Sequence, residues 1–160
     1  RGKILNVEKA RLDRILGNKE IQAMIQHLVQ VCMRRHSSAS VTIRKHVTPE
    51  TKILDVGCGS GILGMLALKF GAAYSVGTDL DPCAIDATHE NMEVNGISKD
   101  RYEVMIGNII DDKEVQDKVG YECYDIVAAN ILADVLVALT PVVVNQIKKG
   151  RNLYYKRYYR

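Results

Sequence analysis

Ile53-Leu54-Asp55-Val56-Gly57-Cys58-Gly59-Ser60-Gly61-Ile62-Leu63 runs from an apolar segment through three glycines into a second apolar segment. The first half has the make-up of a buried strand and the second that of a starting helix. Glycines between them allow backbone angles closed to other residues and let a ligand come close to the main chain. By pattern alone this is a nucleoside site whose kind stays open. Gly59-Ser60-Gly61-Ile62-Leu63-Gly64 satisfies G-x-G-x-x-G, and Asp79 follows Gly59 by twenty residues, as a dinucleotide fingerprint would want.

Working outward, short β-rich runs alternate with helical stretches from residue 52 onward. The strands expected are 52–57, 73–79, 102–108 and 124–130, with helices near 61–70, 82–95, 111–118 and 131–148. Pro82 stands where a first-turn proline belongs, and Gly71, Gly96 and Gly150 where helix C-caps belong. This βαβ order predicts an α/β fold: a mostly parallel sheet of four to five strands with helices on both faces, the fifth strand at 152–155. In such sheets ligands bind at the carboxyl ends of the strands. Upstream, residues 4–16 and 19–35 carry helical spacing, separated by Gly17 and a capping Asn18, and Ser37 to Ser40 reads as a loop. The organisation expected is a helical N-terminal segment at 1–50, a core at 51–150 and a basic aromatic tail at 151–160.

Composition narrows the classes. A chain of 160 residues with 47% hydrophobic content, 12 Gly and 3 Pro is one ordered domain, and with one Phe and no Trp its core is aliphatic. No apolar run approaches the ~18 residues of a spanning helix, so a cytoplasmic protein without membrane contact is expected. Cys32, Cys58, Cys83 and Cys123 form no C-x-x-C pair, and His27 and His36 have no third ligand at metal spacing, so neither a metal site nor a disulfide framework is expected. Residues 1–50 hold ten Lys/Arg and four acids, 51–147 six and fifteen, and 148–160 six and none. An acidic centre between basic ends does not make a nucleic-acid-binding surface, and nucleic acid is not the expected partner.

Three acids and two asparagines carry the chemistry. Asp55 stands two residues before the first glycine, where it would face the anion of a phosphate-binding loop. S-adenosylmethionine, with its sulfonium, its amino group and no phosphate, suits an acidic loop better. Asp79, ending the second strand, is placed to accept from both ribose hydroxyls. Asp81, before Pro82, has the rival reading of a helix-start carboxylate. Asn108 after the third strand serves either the adenine edge or a turn. Asn130, followed by Ile131 and Leu132, can accept hydrogen bonds from an amine and hold its lone pair toward a methyl group; the alternative is an N-cap of the next helix.

The stretch ILDVGCGSGILGMLALKFGAAYSVGTDLDPCAIDATHENMEVNGI, followed by YDIVAANILADVLVALTPVVVNQIKKG, resembles the PrmA family over about residues 50–150. Its members methylate amino groups of a ribosomal large-subunit protein with S-adenosyl-L-methionine. The resemblance implies a Rossmann-like class I methyltransferase core in which Gly57, Asp79 and Asn130 contact the cofactor and Asn130 also faces the incoming amine. With the residue-level reading, the expected cofactor set is Asp55, Gly57, Gly59, Asp79, Asn108 and Asn130, with Asn130 as the catalytic residue. Direct methyl transfer of this kind needs no metal and no covalent enzyme intermediate; the sequence singles out no base for the amine, and solvent or a carboxylate such as Asp134 is open to the role. The family's N-terminal recognition domain, its cofactor-binding segment before the first strand and its pattern after Gly150 are not found here, so a form truncated or divergent at both ends is expected. Other acceptors, a small molecule or nucleic acid, and a cofactor-binding remnant without catalysis are the rival readings. An exposed sheet edge predicts a homodimer.

Overall fold

Side chains alternate along a strand, and here the alternation sorts the core into two layers. On β1 (Lys52–Val56), Ile53 joins Leu63, Met65, Leu68, Met92 and Tyr102 on one face, while Leu54 and Val56 join Val76, Val115, Leu136 and Leu139 on the other. The same split recurs on β4 (Tyr124–Ala129), where Ile126 and Ala128 face the first layer and Val127 and Ala129 the second. A sheet apolar on both faces must be covered on both, which is what parallel strands with helical crossovers accomplish.

The computed structural model describes residues 37–131 and 133–155. The helices expected near 4–16 and 19–35, with Asn18, His27 and His36, lie outside the described residues, as do residues 156–160. The elements in chain order are α1 (Ser37–His46), β1, α2 (Ile62–Lys69), β2 (Tyr74–Asp79), α3 (Cys83–Val94), a 3₁₀ turn (Lys99–Arg101), β3 (Tyr102–Ile106), α4 (Lys113–Val119), β4, α5 (Ala133–Val143) and β5 (Ile147–Tyr155). All four strand pairings are parallel, in the order β3-β2-β1-β4-β5. The chain therefore winds outward from β1 to β3, returns to β4 beside β1, and winds out the other way. The reversal lies between β1 and β4, where an open parallel sheet leaves a crevice at its carboxyl edge.

Several boundaries differ from expectation. Ser37 to Ser40 are the first residues of α1 and not a loop. The serines are indifferent helix formers, but Ile43, 1% exposed, anchors that helix in the first layer against α2, and packing overrides propensity. β1 ends one residue and β3 two residues early because Gly57 (φ 69°) and Gly107 (φ 151°) already turn away from the sheet, whereas β2 ends at Asp79 as expected.

The largest correction concerns 131–148: α5 stops at Val143, and β5 begins at Ile147. Pro141 has no N–H to give the Val137 carbonyl, so the helix is already weakened in its last turn. Gly150 accordingly lies inside β5 and caps no helix. Tyr124 pairs Ile147 but Ile126 pairs Asn152, so β5 bulges across Lys148 to Arg151 before regaining register at 152–155. Residues 151–155 thus belong to the sheet, and the fifth strand is longer than 152–155.

Candidate functional site

The site is built on the loop from Gly57 to Gly61. Thr78 at the end of β2 accepts from two successive loop amides, Gly57 N–H (2.8 Å) and Cys58 N–H (3.0 Å), which draws the loop over the carboxyl edge of the sheet. Gly61 N–H closes a tight turn on the Cys58 carbonyl at 2.8 Å. Gly57 needs to be glycine twice over: its φ is +69°, and a Cβ there would stand 2.5 Å from Ile131 Cγ2. Gly59 (φ +53°) differs, since a Cβ on it would meet no protein atom within 4 Å. The protein core makes no steric demand at Gly59, and the space a side chain would take there is open.

Asp79 fastens this loop from β2. Its Oδ2 accepts from Gly59 N–H at 2.7 Å and its Oδ1 from Asp81 N–H at 2.9 Å, leaving the carboxylate half-buried at the strand end. Asp81 Oδ1 accepts from Cys83 N–H at 3.0 Å, which is the helix-start role anticipated for it.

Helix α3 holds the same loop by its carbonyls. Thr88, fully buried, donates its hydroxyl to the Gly59 carbonyl (3.3 Å), and Asn91 Nδ2 donates to the Ser60 carbonyl (3.0 Å). These two residues, three apart on one helix face, were not among the sequence candidates. The signal was polar residues at helical spacing where Ala84 and Met92 mark the buried side.

Asp55 takes a different place from the one its position in the motif suggests. It is 1% exposed and lies beneath the loop, where its Oδ2 accepts from Gly64 N–H at 3.0 Å and from the Tyr102 hydroxyl at 3.4 Å. Burial pushes its carboxyl up to about 6, with the Asp79 charge adding to the rise and the two hydrogen bonds opposing it. Burial also raises the Cys58 thiol far above its usual range, so this loop cysteine stays a neutral thiol.

Asn108 spends its side chain on a turn. Its Oδ1 accepts from Ile110 N–H at 3.0 Å and its Nδ2 donates to Asp111 at 2.8 Å, while neighbouring Gly107 N–H bonds the Asp79 carbonyl at 2.9 Å. Asn130 follows Ala129, which pairs with Val56, so it leaves β4 directly beside the start of the glycine loop. It stands three residues before the first residue of α5. Asp134 lies in α5, and its side chain is outside the described residues.

The structure therefore gathers Gly57, Gly59, Asp79 and Asn130 at the carboxyl ends of β1, β2 and β4, with Asn108 one strand further along and Asp55 underneath. Among the described residues no group of three or more His, Cys, Asp and Glu could hold a metal ion, and no helix is long and apolar enough to cross a membrane.

The chain is similar to known proteins. Residues 30–155 match the family model described as Ribosomal protein L11 methyltransferase (PrmA), which reaches beyond the 50–150 of the sequence resemblance on both sides. A ribosomal protein L11 methyltransferase of Lachnospira eligens is 57% identical over 108 residues, covering 68% of this chain and 34% of the relative. One from Agathobacter rectalis is 53% identical over 98 residues, covering 61% of this chain and 30% of the relative. The chain spans about a third of the length of these curated relatives. Among solved structures, ribosomal protein L11 methylase from Lactobacillus delbrueckii subsp. bulgaricus superposes with a TM-score of 0.62 at 25% identity, over 76% of this chain and 58% of that one. With a family model matched across residues 30–155 and relatives more than half identical in the core, the chain belongs to the PrmA family of ribosomal protein L11 methyltransferases.

Proposed function

We infer that the crevice between β1 and β4 binds S-adenosyl-L-methionine and serves methyl transfer to amino groups of a protein, ribosomal protein L11 being the acceptor in the relatives' names. The observation that carries the reading is the convergence of the open space beside the Gly59 Cα, the half-buried Asp79 carboxylate and Asn130 on one sheet edge in a chain of this family. The donor set fits this cofactor. The Asp79 carboxylate stands at the loop, which favours a cationic sulfonium and amino group over a pyrophosphate.

When bound, the cofactor supplies a methyl group activated on a sulfonium, an intrinsically good leaving group. The protein's own work is positioning, which can supply roughly 7 to 11 kcal/mol of the barrier without acid, metal or covalent help. Gly57 and Gly59 keep side chains out of the loop. Asp79, whose two oxygens each keep a free acceptor site beside their bonds to Gly59 N–H and Asp81 N–H, would accept from the ribose hydroxyls. Asn130 accepts from the acceptor amine and orients its lone pair, and Ile131, packed against Gly57, shields the crevice from water. Asn108 orders the turn through which the adenine edge is reached. Thr88 and Asn91 fix the loop carbonyls before any ligand arrives, so little ordering remains to be done on binding.

A ribosomal acceptor places the reaction in the cytoplasm. The outer edge of β5, paired on one side only among the described residues, is further proposed to join two copies in a homodimer. Sedimentation at low and high salt would find a dimer that survives salt if strands pair, and a monomer under both conditions would refute it. The function is tested by mixing the chain with purified ribosomal protein L11 and labelled S-adenosylmethionine. Label in the protein supports the reading; cofactor binding without transfer would leave a binding module and refute catalysis by this chain.

A further inference from the structure

Gly64 lies within α2 and Gly77 within β2, at positions where neither a turn nor a positive φ calls for glycine. Glycine inside a helix or strand costs stability relative to alanine and marks a close approach by something else. The group common to both is the phenol of Tyr102. A Cβ at Gly64 would stand 2.7 Å from both Cζ and the hydroxyl oxygen of Tyr102 and nearer still to Ser75 Oγ, and a Cβ at Gly77 would stand 3.0 Å from the Tyr102 oxygen and 2.8 Å from Cys58 Sγ.

The register explains the reach. Asp55 on β1 pairs with Gly77 on β2, and Tyr102 on β3 pairs with Ser75 on β2, all on the sheet face under α2. From β3 the Tyr102 ring passes over the missing side chain of Gly77 to reach Asp55 two strands away, and it is itself 1% exposed. Asp55 in turn accepts from Gly64 N–H at 3.0 Å, in the first turn of the helix into which the glycine loop runs.

We propose that Tyr102 is a positioning residue for the cofactor loop: through the notch left by Gly64 and Gly77 its hydroxyl holds Asp55, which holds the first turn of α2 and thereby the glycine loop. The proposal rests on the functional reading above. It also implies a dependence on pH, because an ionised carboxylate accepts about twice as strongly as a neutral one. The groups facing Asp55 are Gly64 N–H from α2, the Tyr102 hydroxyl from β3, the Cys58 thiol from the loop and the Asp79 carboxylate from β2; its β4 partner is Ala128, which carries no charge. Burial keeps both Cys58 and Tyr102 protonated far above neutrality, so neither titrates alongside Asp55 near neutral pH. Removing the Tyr102 hydroxyl takes away a bond that favours the ionised form, so Asp55 protonates at a higher pH in the variant.

The experiment compares wild type, Tyr102→Phe, Asp55→Asn and the double variant. Phenylalanine keeps the ring and its packing and loses only the hydroxyl. Asp55 is titrated by carboxyl-carbon NMR without ligand, and S-adenosylhomocysteine affinity is measured by calorimetry from pH 5.5 to 8.5. Tyr102→Phe is expected to move the Asp55 midpoint upward and to weaken binding about threefold to tenfold near pH 6.5, the two proteins converging toward pH 8.5. In the Asp55→Asn background the same tyrosine change should leave the pH profile of binding where it was. An unshifted Asp55 midpoint, or weakening equal at every pH and undiminished in the Asp55→Asn background, would show that Tyr102 only fills space and would overturn the proposal alone. A wild type that titrates as expected but does not bind S-adenosylhomocysteine would overturn the functional reading and, with it, the positioning role.

Discussion

The two halves of the sheet, split at the reversal between β1 and β4, are held by different means. On the β1-β2-β3 side, side chains bond main-chain groups far along the sequence: Asp79 to Gly59, Thr88 to Gly59, Asn91 to Ser60, Asp55 to Gly64. On the β4-β5 side the corresponding segment is aliphatic packing by Leu136, Leu139 and Val143 of α5, which carries Pro141 in its last turn, beside a strand that bulges. Asp125 adds a part-buried junction, accepting from Lys148 at 2.9 Å and from Lys52 N–H at 3.0 Å, and Lys149 meets Glu122 at the surface at 3.2 Å. A directional hydrogen bond fixes where a backbone atom stands, whereas aliphatic packing only fixes that a surface is covered. Substitutions among the loop-holding groups of the first side should therefore alter ligand binding, and those in the α5-β5 packing of the second, away from Asn130, should alter stability alone.

Gly57→Val would strain that contrast most. A β-branched residue at φ +69° with its Cβ 2.5 Å from Ile131 suffers both backbone strain and overpacking, together about 3 to 5 kcal/mol, and cofactor binding is lost with it. Gly59→Val, with no protein atom in the way, should lose binding for only about 1 to 2 kcal/mol of stability. Denaturant melts alongside calorimetry separate the two. If Gly59→Val folds and binds normally, the loop is a turn and nothing more.

Asp55 makes the next largest effect, and its sign is opposite to that of a paired surface carboxylate. With a folded value near 6 against 3.8 when unfolded, the folded state holds the proton more tightly, so the favourable contribution is complete below about pH 4 and is lost as pH rises through 6. The expected loss is about 3 kcal/mol of unfolding free energy across that window, absent in Asp55→Asn. Equal pH profiles for the two proteins would mean that Asp55 is solvated in solution. Asp79→Ala should cost about 1.5 to 3 kcal/mol of cofactor affinity with the fold intact, the range for hydrogen bonds to a charged group.

On the other side of the sheet, Pro141→Ala restores a donor to the Val137 carbonyl. It should raise stability by about 1 kcal/mol, the gain in helix propensity being offset in part by a more flexible unfolded chain. Cofactor affinity should not move. A change in affinity there would erase the distinction between the two halves.

What could be read from the sequence follows the same divide. Short β-rich runs and glycine punctuation located β1 to β4 and α2 to α4 to within one or two residues, because those signals are local. The α5-β5 junction was misplaced because VVVNQIKKG reads as well for the end of a helix as for a strand, and only pairing with Tyr124 and Ile126 decides it. Gly57, Gly59 and Asp79 were legible because a loop motif fixes their order along one stretch of chain. Asp55 was assigned to the ligand when its side chain lies underneath, since one residue of register decides which side of a strand it faces. Thr88, Asn91 and Tyr102 act across three elements, and no short window contains them. Two interior glycines, Gly64 and Gly77, were the sequence trace of Tyr102, visible only once a partner for the space was known.

The central claim is that the crevice at the β1–β4 reversal holds S-adenosylmethionine, and calorimetry of the chain with S-adenosylhomocysteine and with NAD tests it most directly. The account predicts one site per chain for S-adenosylhomocysteine, weakened by Asp79→Ala, and no heat from NAD at the same concentration. Binding of NAD in preference to S-adenosylhomocysteine would contradict it and return the glycine loop to the dinucleotide reading that its spacing also allows.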